Sequence, residues 1–254
     1  MSFPNLTLFR HYAESVPSAI PKTVLKTHTD NSVTVADAYP KSLFHFIVLP
    51  RALPPLDISN LKDLRTLLKC DREQALQVLK RLDADAEAVR AIIEAEMVSK
   101  YGFKWEIWTG FHPLPSMEHL HLHVLSADLC TPAMKIKKHY NSFHPKLGFF
   151  LHLEEVLSWF EATPSFYDMK RALTPRQYED RLKEDLMCFK CDDVFKTMPK
   201  LKEHLQQEWD RMAKREKAKL AKKRKREEEA AAKAGDGDDG NVKAKKCETE
   251  SPAE

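Results

Sequence analysis

Along the chain the period of apolar positions changes several times, and each change marks an element. Residues 32–39 (SVTVADAY) and 42–49 (SLFHFIVL) are rich in β-branched and aromatic side chains and are bounded by Pro40 and Pro50, which predicts two sequential strands. From Ile58 to Lys100 the apolar positions recur at intervals of three and four, through Leu61, Leu64 and Leu68 and then Ala75, Val78, Leu82, Val89, Ile93 and Met97. That period predicts two helices with a break between Leu68 and Asp85. Strand patterning returns at 104–112 (KWEIWTGFH) and 119–127 (HLHLHVLSA), and Leu151 to Phe160 reads as a further short helix. Strands, then helices, then strands predict an α+β fold in which helices pack on an antiparallel sheet.

Beyond about residue 210 the apolar period stops. Lys214 to Arg226 reads KREKAKLAKKRKR and is followed by EEEAAAKAGDGDDG, so a formal net charge of only +3 conceals a strongly basic block. A run of like charge without an apolar face cannot pack a core, and 216–254 is predicted to be a basic/acidic disordered tail. Its first part could instead continue a charged helix until Gly235 and Gly237 end it. The basic run suits nuclear import or a nucleic-acid arm. Six glycines argue against a glycine-rich phosphate loop. No apolar run approaches the ~20 residues of a membrane span, and the first residues lack the basic-then-apolar order of a secretory signal. The five cysteines form no disulfide framework, and the expectation is a soluble protein of a reducing compartment.

Two strings carry chemistry. In His119-Leu-His121-Leu-His123-Val-Leu, strand alternation would put three imidazoles on one face and Leu120, Leu122 and Val124 on the core face. Three histidines in such a row suit either a metal, as neutral nitrogen ligands, or nucleophilic attack at phosphorus, the central ring attacking while its neighbours orient it and hold phosphate oxygens. The second string is Cys188-Phe-Lys-Cys191, then Phe195, Leu201, His204 and Glu208. This is the spacing of a C2H2 zinc finger with Glu in the last position, and it predicts one structural zinc per chain held by Cys188, Cys191, His204 and Glu208. Lys190, Lys196, Lys200 and Lys202 around it suit phosphate contacts.

The triad string resembles the signature of the histidine-triad superfamily, and its surroundings resemble the aprataxin family. Asp37-Ala-Tyr-Pro-Lys41 with His45 and Val48-Leu-Pro50, Gly110-Phe-His112 with Pro115-Ser-Met117, and Lys137-Lys-His-Tyr-Asn-Ser-Phe143 occur in that family's order across about residues 30–210. Tyr140 stands where the family often has Trp, and Glu118 where a small polar residue is common. Some fungal members also carry a finger with two Cys, one His and one Glu.

The resemblance implies a DNA-repair hydrolase that removes AMP from adenylated 5′ ends of nicked or double-stranded DNA, with AMP as product. The intermediate would be an adenylyl-histidine on His121, and GMP on 3′ ends would be a further substrate. His119, His123, His112 and Lys138 are then the remaining catalytic groups, and Lys41, His45, Ser116, Met117 and Ser142 the substrate contacts. It implies residues 1–165 as a histidine-triad catalytic domain, 166–215 as a DNA-binding finger, a monomer, a nuclear location and no membrane partner. Nothing ahead of the catalytic part matches the phosphopeptide-binding module of animal members, so recruitment by that route is not expected. The alternative is a histidine-triad hydrolase of free dinucleotides or nucleoside phosphoramidates, for which the finger and the basic tail would be surplus.

Overall fold

In the computed structural model, residues 6–235 are described. Residues 236–254, the end of the expected charged tail with Gly237 and Cys247, lie outside them. Helix α1 (Leu8–Glu14) leads into strands β1 (Leu25–His28), β2 (Ser32–Ala36) and β3 (His45–Pro50). Helices α2 (Leu64–Leu67) and α3 (Arg72–Tyr101) follow, then β4 (Ile107–Phe111) and β5 (Leu122–Ser126). Next come α4 (Lys137–Asn141), β6 (Leu151–His152), α5 (Leu153–Ser158), α6 (Pro164–Arg171) and α7 (Pro175–Glu179). A two-stranded hairpin, β7 (Leu186–Met187) and β8 (Val194–Phe195), precedes α8 (Met198–Gly235).

Six strands form one antiparallel sheet in the order β1-β2-β3-β5-β4-β6. The helical break expected between Leu68 and Asp85 falls at 68–71, where the Asp71 carboxylate caps α3 by accepting from the Glu73 and Gln74 amides. Gly102 in the left-handed region ends that helix. One sheet face, including Val48, Leu122 and Val124, is buried under α3. This is the core role expected of the leucines between the histidines. Ile47 and Leu49 on the opposite face pack with Val33, Val35 and α1.

Further along that second face, Trp108 and Leu125 join Tyr140, Phe143 and Phe150 in a core that also takes in Leu186, Cys188, Phe189, Met198, Leu201 and Leu205. The finger sequence is thus built into the same core as the sheet. Gly110 is required where β4 meets β6, since a Cβ there would lie 2.6 Å from the Leu151 carbonyl oxygen and 2.7 Å from the Phe150 ring. The chain divides into one compact unit ending at Arg211 and a second from Met212. Between 212 and 235 the second unit is helical, the helical continuation that the sequence left open, and its residues up to 231 are mostly exposed. No helix among the described residues is long and apolar enough to cross a membrane.

Candidate active site and metal centre

Of the three alternating histidines only His123 lies within β5. His119 sits in the approach to the strand with φ of +94°, a left-handed conformation that costs a non-glycine residue about 1–3 kcal/mol. Its backbone N–H donates to Lys62 O at 2.9 Å and its ring Nε2–H to Pro50 O at 2.8 Å, and these two bonds hold the turn. The expectation of three rings on one continuous strand face is therefore corrected, because the chain turns at His119 before the strand begins. That turn aims the His119 carbonyl at His121, whose Nδ1–H donates to it at 2.7 Å. With Nδ1 carrying the proton, Nε2 of His121 keeps its lone pair.

His123 is prepared by a different chain of bonds. The Lys41 backbone N–H donates to His45 Nδ1 at 3.1 Å, so the His45 proton must sit on Nε2. That proton points to His123 Nδ1 at 3.0 Å. The His123 proton is thereby placed on Nε2, a buried atom without a partner. Asp37 lies 3.8 Å from His45 Nε2 and favours its N–H electrostatically. His112 stacks 4.5 Å from His123 between ring centroids and is hydrogen-bonded to the Ser142 backbone, while its Nε2 is also buried and unpaired. His121 and His123 are 5.1 Å apart by centroid, and Phe9 of α1 stands edge-on to His121 at 5.0 Å. Four imidazoles therefore converge, backed by Phe143, Phe149 and Phe150.

The other expected residues surround this group unequally. Lys41 is half-buried, and its ammonium donates to the Tyr39 carbonyl. Lys138 is exposed on α4. Burial first, then the charge of Lys41, with Lys138 and Lys135 adding to it, lowers the proton affinity of His139. The Ser142 hydroxyl donates to His139 O at 2.9 Å. Ser116 is exposed and Met117 half-buried in the loop between β4 and β5. Asp37 was legible as part of a motif but not as a support for His45, and Phe9 stands far from the triad in sequence. Glu118 is turned aside: its carboxylate meets Arg10 at 3.6 Å. Tyr140 uses the hydroxyl that a Trp would lack, donating to Met187 O at 2.7 Å and accepting from the Phe189 N–H at 3.2 Å.

Burial keeps the site neutral. It lowers the pKa of His45 to about 4, of His112 to about 3 and of His119 to about 4. It also holds His121 below, and His123 well below, the ordinary imidazole value. A histidine with a folded pKa below its unfolded value of about 6.5 binds its proton more readily in the unfolded chain. Stability is therefore expected to be full at pH 7–8 and to fall progressively between about pH 6.5 and 3, the span of these shifts. Urea midpoints at pH 7.5, 6 and 5 check this, and constant midpoints would mean that the rings are not held neutral.

Among the described residues, two groups bring metal-capable atoms within 4.8 Å of one another. In the first, Asp37, His45 and His123, the donor pattern opposes a metal. A neutral His45 ligating through Nε2 would carry its proton on Nδ1, against the Lys41 N–H. The second, Cys188, Cys191 and His204, suits zinc: two thiols and an imidazole, with Cys191 Sγ 3.3 Å from His204 Nε2. Zinc bonds of about 2.3 Å to sulfur and about 2.0 Å to nitrogen span such a separation. Glu208 lies one turn further along α8 and is not in this group; its carboxylate meets Arg211 at 3.0 Å.

Two family models match the chain. The family described as scavenger mRNA decapping enzyme C-term binding matches residues 10–139, just over half of the chain. The C2HE / C2H2 / C2HC zinc-binding finger family matches 146–211. Aprataxin of Gallus gallus is 31% identical over 78% of this chain and 55% of its own length, and aprataxin of Danio rerio 32% identical over 77% and 53%. The chain thus spans about half the length of these curated relatives. An aprataxin-like protein of Schizosaccharomyces pombe is 27% identical over 72% of this chain and 73% of its own length. A crystal structure of the aprataxin orthologue Hnt3 in complex with DNA superposes with a TM-score of 0.58 at 27% identity, covering 81% of this chain and 94% of that one. Another holds Hnt3 in complex with DNA and guanosine.

Proposed function

The chain belongs to the aprataxin family of histidine-triad proteins, and on that premise we propose that it removes AMP from adenylated 5′ DNA ends. The observation that carries this reading is the fixed tautomer of His121: Nδ1–H spent on the His119 carbonyl, Nε2 open among buried imidazole nitrogens that lack partners. In the first step Nε2 attacks the phosphorus of AMP. The P–N bond forms as the pyrophosphate P–O bond breaks, and the DNA leaves with a free 5′-phosphate. That leaving group is already a stable anion and needs little acid assistance. Positive charge developing on the ring is held at Nδ1–H against the carbonyl oxygen. In the second step water attacks the phosphorus, the P–N bond breaks, and AMP leaves with His121 restored.

His123 Nε2–H is the donor to a nonbridging phosphate oxygen. Lys41 and Lys138 add donors and positive charge, the groups phosphoryl transfer requires, while His112, neutral and bonded to the Ser142 backbone, packs on His123 and holds that ring in place. His119 positions His121 through its carbonyl. His45 positions His123, and Ser116, Met117 and Ser142 border the nucleotide. Chemistry that asks only for a nucleotidyl phosphorus extends to GMP on 3′ ends, the base class that accompanies DNA in one Hnt3 structure. The finger, proposed to hold one zinc through Cys188, Cys191, His204 and Glu208, braces a DNA-binding surface on the catalytic part. Zinc supplies a structural cross-link there and no chemistry. We place this monomeric enzyme in the nucleus, with residues 1–165 catalytic, 166–215 the finger and the remainder a charged tail.

The test is to trap AMP, labelled in its phosphate, on His121 from 5′-adenylated nicked DNA at neutral pH. Label on the peptide containing His121 is expected, with faster turnover than on free diadenosine polyphosphate. Label elsewhere, or the reverse substrate preference, overturns the reading.

A further inference from the structure

The family matches end at residue 211, but α8 continues to Gly235. Between Lys214 and Arg226 that helix carries nine Lys or Arg against the single Glu216. All nine are exposed, and Leu220 is the only large apolar residue among these thirteen. A helix without an apolar stripe offers no groove-filling face to a folded protein; its chemistry suits a polyanion.

The cations are also arranged. Arg215, Lys219, Lys222 and Arg226 are spaced at four, three and four residues, which sets them on one side of the helix. At 1.5 Å per residue the row is about 16 Å long. Duplex DNA presents one phosphate charge per about 1.7 Å of its axis, so such a row meets several phosphates at once. The charges on other sides are partly balanced within the helix, Lys223 by Glu227 at 3.7 Å and Lys225 by Glu229 at 3.8 Å. Arg215 and Lys219 share Glu216, at 3.7 and 2.7 Å, exposed contacts that a phosphate readily replaces. A helix already formed pays no ordering entropy when it binds.

We propose that residues 212–235 form an arm that grips the phosphate backbone of duplex DNA through Arg215, Lys219, Lys222 and Arg226. This rests on the reading of DNA as substrate. The contacts read no base, and they lengthen the duplex that the enzyme grips.

The experiment measures binding of the full chain to an unadenylated nicked duplex as salt is varied. The R215Q/K219Q/K222Q/R226Q variant keeps good helix formers, checked by circular dichroism. Its salt slope is expected to fall by about three to four, near 0.9 for each lost phosphate contact, and its Kd at 0.1 M salt to rise about 100-fold or more. Maximal AMP release at saturating substrate should not change. The K214Q/K217Q/R224Q/K225Q variant, altered on the other side, should lose less than half as much slope. An unchanged slope, or equal losses from both variants, overturns the proposal. So does an unchanged slope with loss of nuclear accumulation, which would assign the run to import. If the slope falls but the wild-type chain releases no AMP, the arm stands and the hydrolase reading fails. If AMP is released and the slope does not move, the arm alone fails.

Discussion

Replacing His121 with alanine is expected to lower turnover of adenylated DNA by roughly 10⁵-fold, as loss of a nucleophile does, with Kd for the same DNA within about threefold of wild type. The adjacent His123 ring cannot take over the attack. His123 Nδ1 is occupied by His45, leaving its Nε2 as the proton-bearing atom. His119 Nε2 is tied to Pro50. Binding survives because the ring is one contact among many cationic ones. His119→Ala should cost far less, about 10- to 100-fold in kcat, since the carbonyl that holds His121 belongs to the backbone and only the anchor that keeps it aimed is lost. Single-turnover rates and DNA affinities for the two variants check both statements. Equal losses of binding and turnover in His121→Ala would make the residue structural. A His119→Ala defect as deep as that of His121→Ala would mean that the ring at 119, not its carbonyl, takes part in the chemistry.

The contrast between these two histidines shows what the sequence could and could not tell. Alternation of apolar and polar positions located β3, β5 and the leucines that face α3, because burial on one sheet face leaves a direct trace in composition. The break before α3 was legible through its three- and four-residue period. The left-handed turn at His119 left no such trace, since a positive φ on a non-glycine residue is imposed by the bonds to Lys62 and Pro50, both distant in sequence. The roles of Asp37, Phe9 and Arg10 were hidden for the same reason: each acts on a partner brought near only by the fold. Strand β1 (LKTH) is too short and too mixed to show a period, and α6 and α7 are brief helices started by Pro164 and Pro175. The finger was the clearest element, because metal spacing is local. What the spacing did not convey is that the finger has no core of its own.

That shared core makes the finger the site of the second large effect. Leu186, Phe189, Met198, Leu201 and Leu205 pack with Trp108, Leu125, Tyr140, Phe143 and Phe150, so releasing the metal loosens more than the finger. Tyr140 ties the two further, its buried hydroxyl bridging Met187 and Phe189 beside Cys188 while Ser142, two residues on, supports His112. Cys191→Ala is expected to lower zinc content below one per chain and to destabilise the compact unit by about 4 kcal/mol, a fall in Tm of roughly 8–16 °C. Turnover should decline with zinc content as His112 loses its support. Glu208→Ala is the discriminating change, because the carboxylate rests on Arg211 and must leave it to reach the metal. Water can fill that position, so zinc should remain at one per chain with roughly 10-fold weaker affinity and a Tm within a few degrees of wild type. Glu208→His should restore the affinity, imidazole being at least as good a partner for a thiolate site. Competition with a chelator of known affinity, alongside calorimetry, measures all three variants. Equal zinc affinity in Glu208→Ala and wild type would place the fourth ligand elsewhere, and an unchanged Tm in zinc-free Cys191→Ala would show that the finger's metal does not brace the catalytic core.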